Sequence, residues 1–361
     1  MDLQGFRASI IDGIYSNMYG RLADNYDYNR FSFDGVDRSN QVAVMDHAHY
    51  LKQLLQHIDA YYTVYLLLAN QSSRELFLRV ILFRCMGHPH IRIKEERTWS
   101  SIQALFAKAE SYQVGTSPLH FEGLMFGPLR HFENVPTETG PVQLDCWPGN
   151  LVYGLGDHAL ARQYYYHAED IRVRPEAGDQ VIDCGACFGE TAVFFASSVG
   201  PAGHVYSFDP LPHHVDVIKL NVQQNGLQER VTVIPAAVGA RSNHIADAGE
   251  RFRDLNSPGF SMHGKEDQFP VLSIDDMVAR HGVQKVDFIK MDIEGFEMEA
   301  LKGAMGTIAA HRPKLAISLY HRIEDFYALP LFLQEHFPFY HFYLDHYTIF
   351  GEETVLYAIA R

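Results

Sequence analysis

The chain has 361 residues, 47% of them hydrophobic, and a formal net charge of −14 at pH 7 with the histidines neutral. This length and hydrophobic content allow a sizeable core in two domains, or in one domain with a large extension. The acidic balance repels phosphate backbones and argues against a nucleic-acid partner. We predict a mainly helical N-terminal extension over residues 1–150 and a cofactor-binding domain over residues 151–361.

The number of cysteines and the length of the apolar stretches indicate the cellular compartment of the protein. The four cysteines are too few for a disulfide scaffold in a chain of this length. Residues 1–7 lack the charged and apolar blocks of a signal peptide. The longest strongly apolar stretch, residues 61–69, is far shorter than a membrane-spanning helix. We therefore expect a soluble, cytoplasmic protein with no membrane partner.

The N-terminal third shows helical periodicity without recognisable chemistry. Residues 1–45 have no clear period, and we expect an arm or lead-in there. The Ser-Ser-Arg-Glu sequence at 72–75 is typical of a capping box that opens a helix, and Gly87 can end that helix. We expect this region to cover an acceptor pocket or to form a homodimer. The predicted helices span residues 47–69, 76–85 and 101–111.

The middle of the chain changes from loops to alternating strands and helices. Residues 115–148, rich in glycine, proline and polar side chains, are predicted to be a linker. The three tyrosines at 164–166 are predicted to cover a cofactor or to pack in the core. From about residue 179, strand and helix alternate, which is typical of a parallel, doubly wound sheet. The long polar segment 239–269 predicts a lid or substrate loop. The predicted strands span 180–184, 203–209, 230–236, 286–292 and 314–319, followed by an antiparallel pair at 337–344 and 353–360.

A glycine-containing turn is the most informative feature of the second half. Residues 181–191 read V-I-D-C-G-A-C-F-G-E-T, a short strand ending in Asp183, a tight turn and the start of a helix. Gly185 and Gly189 allow the backbone to turn sharply and to approach a ligand closely. The first helical turn offers N–H groups to an anion. The spacing D-x-G-x-x-x-G differs from the dinucleotide and P-loop patterns, and it predicts a turn that holds the methionine end of S-adenosylmethionine.

Cys184 and Cys187 form a C-x-x-C motif inside this turn. Such a pair opens a helix after a strand in redox domains, but a redox domain leaves Asp183, Gly189 and Asp209 unexplained. A zinc site needs a second ligand pair with regular spacing, which the sequence does not contain. We therefore favour the interpretation that both thiols pack as small side chains.

A second acidic residue follows the next predicted strand. Asp209 ends the strand, and Pro210 prevents the strand from continuing. A carboxylate one crossover helix after the glycine turn can accept hydrogen bonds from both ribose hydroxyls of a nucleoside. Asp209 alone is typical of a turn or a helix cap, whereas together with the glycine turn it predicts a nucleoside-binding site.

The second half of the chain resembles the FkbM family of S-adenosylmethionine-dependent methyltransferases. The resemblance covers roughly residues 150–361, and its specific part is the block D-F-I-K-M-D-I-E-G-F-E at 287–297. Residues 181–191, 208–210 and 301–304 also fit the family. It implies an α/β fold with a doubly wound, Rossmann-like methyltransferase sheet and an antiparallel C-terminal hairpin. It also implies O-methylation of a hydroxyl on a sugar or natural product. The predicted cofactor-binding residues are Asp183, Gly185, Ala186, Gly189, Glu190, Thr191, Asp209, Pro210, Ala237 and Asp292.

Methyl transfer to a hydroxyl requires the acceptor oxygen to lie in line with the sulfonium. It also requires a base that removes the hydroxyl proton or a metal that lowers the hydroxyl pKa. Asp292 and Glu294 alternate with Lys290, so we expect them to reach the cleft beyond the strand ends. Many family members carry a glutamate near the end of the fifth strand, where this chain has His321. A neutral imidazole there accepts a proton near pH 7. We predict His321, Asp292 and Glu294 as catalytic residues, with His346 as an alternative base. The same three residues are the expected ligands if a divalent metal takes part.

Two other functions remain open from the sequence alone. One is a non-catalytic binding protein that keeps the nucleoside-binding fold. The other is an NAD-dependent dehydrogenase, against which the glycine spacing argues. Structural hydrogen bonding or helix capping is also an alternative role for Asp292 and Glu297. The favoured function has a small-molecule hydroxyl acceptor as its partner.

Overall fold

The N-terminal part of the described chain is helical, as predicted. A computed structural model describes residues 1–22, 42–121, 128–153, 160, 162–168, 170–242, 245–247 and 268–361. Residues 3–17, for which no helix was predicted, form a helix that buries Phe6 and Ile10. The predicted helix over 47–69 is two helices, because His57 between them has a non-helical backbone. The helices are α1 (Leu3–Asn17), α2 (Val42–Gln56), α3 (Ile58–Leu67), α4 (Gln71–Met86) and α5 (Trp99–Glu110).

Helix α4 begins earlier than the capping box predicted. Its N-cap is Asn70, whose side-chain oxygen accepts a hydrogen bond from Ser73 N at 3.0 Å. Ser72 lies exposed inside the first turn, so the prediction that it caps the helix is wrong. Asn70 is the better cap because its backbone is extended and its short amide side chain reaches a free N–H of the first turn. Gly87 ends the helix with φ +80, as predicted.

The prediction of a linker at residues 115–148 is wrong, because about half of this segment belongs to a three-stranded antiparallel sheet. A β-bulge between Phe132 and Val135 breaks the period-2 alternation by which a strand is recognised. Both side chains are nevertheless fully buried, as is Leu144 on the next strand. The strands are β1 (Gln113–Thr116), β2 (Arg130–Thr137) and β3 (Gly140–Cys146).

The remaining described elements include the strands and helices of the predicted doubly wound sheet. They are α6 (Asn150–Tyr153), β4 (Tyr166–Ala168), β5 (Ile171–Val173), β6 (Gln180–Cys184), α7 (Glu190–Val199), β7 (His204–Phe208), α8 (Pro212–Gln224), β8 (Val231–Ile234), β9 (Ala237–Val238), β10 (Ile245–Asp247), β11 (Gln268–Leu272), α9 (Ile274–His281), β12 (Phe288–Met291), α10 (Glu297–Lys302), α11 (Met305–His311), β13 (Lys314–Ser318), α12 (Asp325–His336), β14 (Tyr340–His346) and β15 (Thr354–Ala360). The main sheet has seven strands in the order β14-β15-β13-β12-β6-β7-β8. Strands β13, β12, β6, β7 and β8 are parallel, and β15 is antiparallel to its neighbours β13 and β14. The predicted α/β fold, with its C-terminal antiparallel hairpin, is therefore confirmed.

The sheet is covered on both faces, and its order places the binding cleft. Val181 and Phe288 point into one hydrophobic cluster, whereas Ile182 and Ile289 point into the other. The chain passes from β6 to β7 on one side, and later returns to place β12 on the other side of β6. In open α/β sheets a ligand binds beyond the carboxyl ends of the strands at such a switch point. The predicted site residues follow β6, β7, β12 and β13 at that edge.

The N-terminal helices close the edge of the main sheet at β14. Leu68 forms a parallel β-bridge with Phe342, and Ala69 N donates to Phe342 O at 2.8 Å. Ser73 on α4 is fully buried, and its Oγ accepts a hydrogen bond from Leu344 N at 2.9 Å. These contacts satisfy backbone groups that an open edge strand would leave unpaired. The division at residue 150 stays a prediction, because the helices and the sheet share one hydrophobic cluster.

Several predictions about the periphery stay open. Helix α1 exposes Ile11 and Tyr15, which are 55% and 68% accessible, but the predicted homodimer stays a prediction. Among the described residues, no helix combines the length and apolar character that crossing a membrane requires. The cytoplasmic location and the absence of nucleic-acid and membrane partners stay predictions. Most of the predicted lid at 239–269 lies outside the described residues.

The hydrogen bond between Ser73 and Leu344 allows a test of how the N-terminal helices are attached to the main sheet. We expect Ser73→Ala to lower the free energy of unfolding by about 1–3 kcal/mol, because the buried Leu344 N–H loses its acceptor. Ser72→Ala, an exposed change in the same helical turn, should alter it by less than about 0.5 kcal/mol. Urea denaturation of both variants measures the difference. Equal effects in the two variants would contradict this attachment.

Candidate active site

The glycine turn between β6 and α7 lies directly against the turn that follows β12. Gly185 has φ +85, and a Cβ at this position would come within 1.9 Å of the Asp292 carbonyl oxygen. Gly189 has φ +87, and its Cβ would lie 3.0 Å from Ile218 Cα on α8. Both positions therefore need glycine, for the backbone conformation and for the close approach. The predicted cofactor turn and Asp292 consequently share one edge of the sheet.

Asp183 stabilises this turn through contacts with Thr191 and Lys290. Its fully buried carboxylate accepts a hydrogen bond from Thr191 Oγ1 at 2.7 Å and lies 3.4 Å from Lys290 Nζ. Lys290 also donates to the Gly185 carbonyl oxygen at 2.5 Å. Burial raises the pKa of Asp183, and the Lys290 charge opposes this effect only in part. These bonds give Asp183, Thr191 and Lys290 a clear role in fixing the turn.

The start of α7 contains a buried acid and the two thiols of the C-x-x-C motif. Glu190 accepts a hydrogen bond from Asn150 Nδ2 at 2.7 Å, and burial raises the pKa of Glu190 to about 7. Cys184 and Cys187 are free thiols. Burial raises the pKa of each thiol above its ordinary value, which disfavours the reactive thiolate. The surroundings therefore favour the interpretation of packed side chains, and Ala186 is buried beside them.

Asp209 follows β7 and is held by the glycine turn. Its Oδ2 accepts from Cys187 N at 2.9 Å, and its Oδ1 accepts from Leu211 N at 3.0 Å. His214 Nδ1 also lies 3.0 Å from Oδ1. A carboxylate offers about four acceptor positions, so roughly one position on Oδ2 is left for a ribose hydroxyl. Pro210 follows directly, and Ala237 begins β9 beyond the next strand. The assignment of these residues to cofactor binding stays a prediction.

Beyond β12 and β13, three carboxylates surround one histidine. His321 Nε2 lies 3.3 Å from Asp292 Oδ1 and 3.6 Å from Glu294 Oε2. On the other side of the ring, Nδ1 lies 2.9 Å from Glu297 Oε1. The imidazole side chain is only 4% exposed. The structure therefore brings together all three predicted catalytic residues and adds Glu297, for which a structural role was also considered.

Strand alternation does not explain how Asp292 and Glu294 meet, because β12 ends at Met291. Glu294 instead lies in a turn with φ +55, a left-handed conformation that is uncommon for a residue with a side chain. This conformation belongs to the turn between β12 and α10. Backbone strain of this kind clusters at functional sites.

Two tyrosines donate hydrogen bonds to Asp292, and neither contact was predicted from the sequence. Tyr164 OH donates to Asp292 Oδ2 at 2.6 Å, and Tyr320 OH donates to Oδ1 at 2.9 Å. Burial opposes ionisation of Asp292, but the charges of Lys290 and His321 and the hydrogen bonds from the two phenols together outweigh it, and the pKa of Asp292 lies below its ordinary value. Tyr320 OH also lies 3.2 Å from Glu353 Oε1, and burial raises the pKa of Glu353 to about 8. The three consecutive tyrosines at 164–166 were the available signal, but the sequence did not show that one of them contacts Asp292.

His321 is predicted as a base, and its surroundings weigh against that role. Burial disfavours the charged ring, but the negative charges of Glu297 and Glu294 raise the pKa of His321 well above its ordinary value. The imidazolium form has no lone pair to accept a further proton. His346, the alternative base, is fully buried and its Nδ1 lies 2.8 Å from Thr354 Oγ1. Burial lowers the pKa of His346 to about 3.

Comparison with known proteins identifies the family of this domain. Residues 183–341 match the model of the methyltransferase FkbM domain. The chain therefore contains an FkbM methyltransferase domain, and the family read from the sequence is confirmed. No curated protein sequence matches the chain.

One solved structure has the same fold, and others are less similar. A crystal structure of methyltransferase FkbM from Methylobacillus flagellatus is similar, with a TM-score of 0.52 and 20% identity. The match covers 85% of this chain and 60% of that chain. Fibrillarin from Aeropyrum pernix, solved with S-adenosyl-L-methionine, matches with a TM-score of 0.36 and 15% identity over 64% of this chain and 90% of that chain. An O-methyltransferase from Bacillus cereus matches with a TM-score of 0.32 and 14% identity over 50% of this chain and 74% of that chain.

The contact at Gly185 allows a test that separates steric clash from backbone strain. Gly178 has a similar φ of +86 but has open space around it. Gly178→Ala should therefore lose about 1–2 kcal/mol of stability through the left-handed backbone alone. Gly185→Ala should lose about 1–3 kcal/mol more, because its Cβ meets the Asp292 carbonyl. Thermal and urea unfolding of both variants measure this. Equal losses of stability in the two variants would show that the close approach of Gly185 to Asp292 does not require glycine.

Proposed function

We propose that the protein is an S-adenosylmethionine-dependent O-methyltransferase that acts on a hydroxyl of a small molecule, a sugar or natural product. The observation that carries this proposal is the contact of Gly185 with the Asp292 backbone. That contact sets a turn suited to the methionine end of the cofactor beside a cluster of carboxylates. The FkbM methyltransferase domain over residues 183–341 supports the same conclusion.

The cofactor would lie along the carboxyl edge of β6 and β7. The glycine turn allows close backbone approach, and Asp209 offers its Oδ2 to a ribose hydroxyl. Tyr164 and Tyr320 keep the Asp292 carboxylate in one position near this edge. Because both phenols donate to it, Asp292 serves to orient groups rather than to take up a proton.

The chemical step is an in-line displacement. An oxygen–carbon bond forms between the acceptor and the methyl group while the carbon–sulfur bond breaks, and its electron pair stays on sulfur. The positive sulfonium becomes a neutral thioether, and the acceptor hydroxyl loses one proton. The chain supplies positioning and a proton acceptor.

Glu294 is the proton acceptor that the geometry favours. Its side chain is 24% exposed, compared with 4% for His321. Its backbone is left-handed, and its Oε2 lies 3.6 Å from His321 Nε2. The raised pKa of His321 keeps that ring protonated, so we assign His321 a supporting role beside Glu294.

The assignment of Glu294 predicts a specific loss of turnover. Glu294→Gln should lower kcat by roughly 10²–10⁴-fold, the usual range for a lost general base, while affinity for S-adenosylhomocysteine changes little. Glu299→Gln is the matched control, because Glu299 lies nearby on α10, is 44% exposed and pairs with Lys302. The measurement is S-adenosylhomocysteine release with an acceptor found by screening. Near-normal kcat in Glu294→Gln would refute Glu294 as the proton acceptor.

Binding and turnover separate this proposal from its alternatives. Calorimetry should show binding of S-adenosylhomocysteine and none of NAD, and the reverse result would favour a dehydrogenase. Screening of hydroxyl-containing acceptors should then detect turnover. Binding without turnover on any acceptor would favour a non-catalytic protein with the same fold.

Asp209 gives a prediction about cofactor affinity. Asp209→Ala should weaken binding of S-adenosylhomocysteine by about 1.5–3 kcal/mol, because the ribose loses a charged acceptor and the glycine turn loses a bond to Cys187 N. Asp216→Ala removes an exposed carboxylate from α8 and should leave affinity unchanged. Calorimetry on both variants is the measurement. Unchanged affinity in Asp209→Ala would refute the ribose assignment.

We also propose that the N-terminal helices cover the acceptor pocket. Phe77 on α4 stacks on Phe326 with ring centroids 5.5 Å apart, and Phe326 lies in the first turn of α12. This helix follows the loop that contains His321. The alternative role in a homodimer would appear as a doubled mass in light scattering.

A further inference from the structure

Five polar side chains at the carboxyl edge of the main sheet form a closed ring of hydrogen bonds. Asp292 accepts from Tyr164 OH at 2.6 Å and from Tyr320 OH at 2.9 Å. Gln163 Nε2 donates to Tyr164 OH at 2.9 Å and to Glu353 Oε2 at 2.6 Å. Tyr320 OH lies 3.2 Å from Glu353 Oε1 and closes the ring. The ring therefore connects Glu353, just before β15, to an aspartate whose backbone contacts the predicted cofactor turn.

This ring requires one of its two carboxyl groups to be protonated. The Gln163 amide uses its two N–H groups at Tyr164 and Glu353. Tyr164 then uses its single proton at Asp292. Tyr320 also has a single proton, although its oxygen lies within 3.2 Å of both carboxyl groups. Without a further proton on one carboxyl group, two oxygens that offer only lone pairs would face each other at Tyr320.

The neighbouring charges place this proton on Glu353. Burial opposes ionisation of Asp292, but Lys290, His321 and the two phenols outweigh it and keep its pKa below the ordinary value. Burial, and then the negative charge of Asp292, raise the pKa of Glu353 to about 8. Glu352 adds another negative charge, and the charge of His321 compensates only in part. At pH 7 Asp292 is therefore the carboxylate of the ring, and Glu353 is the carboxylic acid.

We propose that Glu353 is a protonated hydrogen-bond donor that positions Tyr320, and through it the carboxylate of Asp292, for methyl transfer. Glu353 donates to the phenol oxygen of Tyr320, so the phenol proton is directed to Asp292. Glu353 has φ +68, a left-handed backbone of the kind that clusters at functional sites. Its role in turnover rests on the proposed function, whereas its protonation does not.

The pH dependence of kcat tests this role in the full-length protein. Wild-type kcat should fall above about pH 8, by about tenfold per pH unit, because ionised Glu353 no longer donates to Tyr320. Glu353→Gln keeps a carbonyl oxygen for Gln163 and an N–H donor for Tyr320, so it should keep wild-type kcat at pH 7 and lose the alkaline fall. Glu353→Leu should lower kcat by roughly 10–100-fold at every pH, because Asp292 is less well positioned. Glu352→Gln is the matched control and should keep the alkaline fall.

Two measurements test the protonation of Glu353 without any acceptor. A carboxyl group whose pKa is raised in the folded chain stabilises the fold at low pH, and this contribution is lost as the pH rises through the folded pKa. The melting temperature of the wild type should therefore fall relative to that of Glu353→Gln between about pH 5 and about pH 8. The infrared difference spectrum between these two proteins at pH 7 should contain the C=O band of a protonated carboxyl group.

The outcomes separate this proposal from the proposed function. A melting-temperature difference that does not change with pH, or a missing C=O band, would show that Glu353 is ionised and would overturn the proposal. An alkaline fall of kcat that persists in Glu353→Gln would overturn the positioning role. If Glu353→Leu does not fold, Tyr320→Phe replaces it, and unchanged kcat in that variant would likewise overturn the role. Protonated Glu353 without turnover on any acceptor would support the assigned proton and count against methyl transfer.

Discussion

The backbone contact between Gly185 and Asp292 is the constraint on which the site depends. A side chain at position 185 would overlap the Asp292 carbonyl at 1.9 Å, so the turns after β6 and β12 can meet only through glycine. Lys290 reinforces the contact because it reaches Asp183 below the turn and the Gly185 carbonyl within it. This contact brings the predicted cofactor turn and the carboxylates to one place at the switch point of the sheet.

The site contains more negative charge than a buried cluster ordinarily tolerates. The surroundings of each carboxyl group affect its charge in a different way. Asp292 stays ionised because Lys290 and two phenols stabilise its charge. Glu353, close to Tyr320, has a pKa raised to about 8 by burial and by the charge of Asp292. Glu297 keeps an unsatisfied oxygen. A protonated His321 compensates part of the remainder, which is why we propose Glu294 as the proton acceptor.

Much of the fold could be predicted because its signals are local. Every strand of the main sheet was predicted, since each is a short apolar run between turn residues. The three-stranded sheet was missed because a bulge at Phe132 and Val135 disrupts alternation. The cap of α4 was misplaced because Ser72 and Asn70 both suit an N-cap, and only the backbone conformation decides between them.

The sequence by itself determined the glycine turn, the family, and the acids and histidine at the strand ends, because these depend on spacing along the chain. Only the tertiary structure decided which partners they meet. Tyr164 lies far from Asp292 in sequence, and Glu297 at the start of α10 meets His321 in the segment after β13 only through the fold. Contacts between side chains on separate elements leave no local period in a sequence, so the roles of Glu294 and Glu297 could be distinguished only in three dimensions.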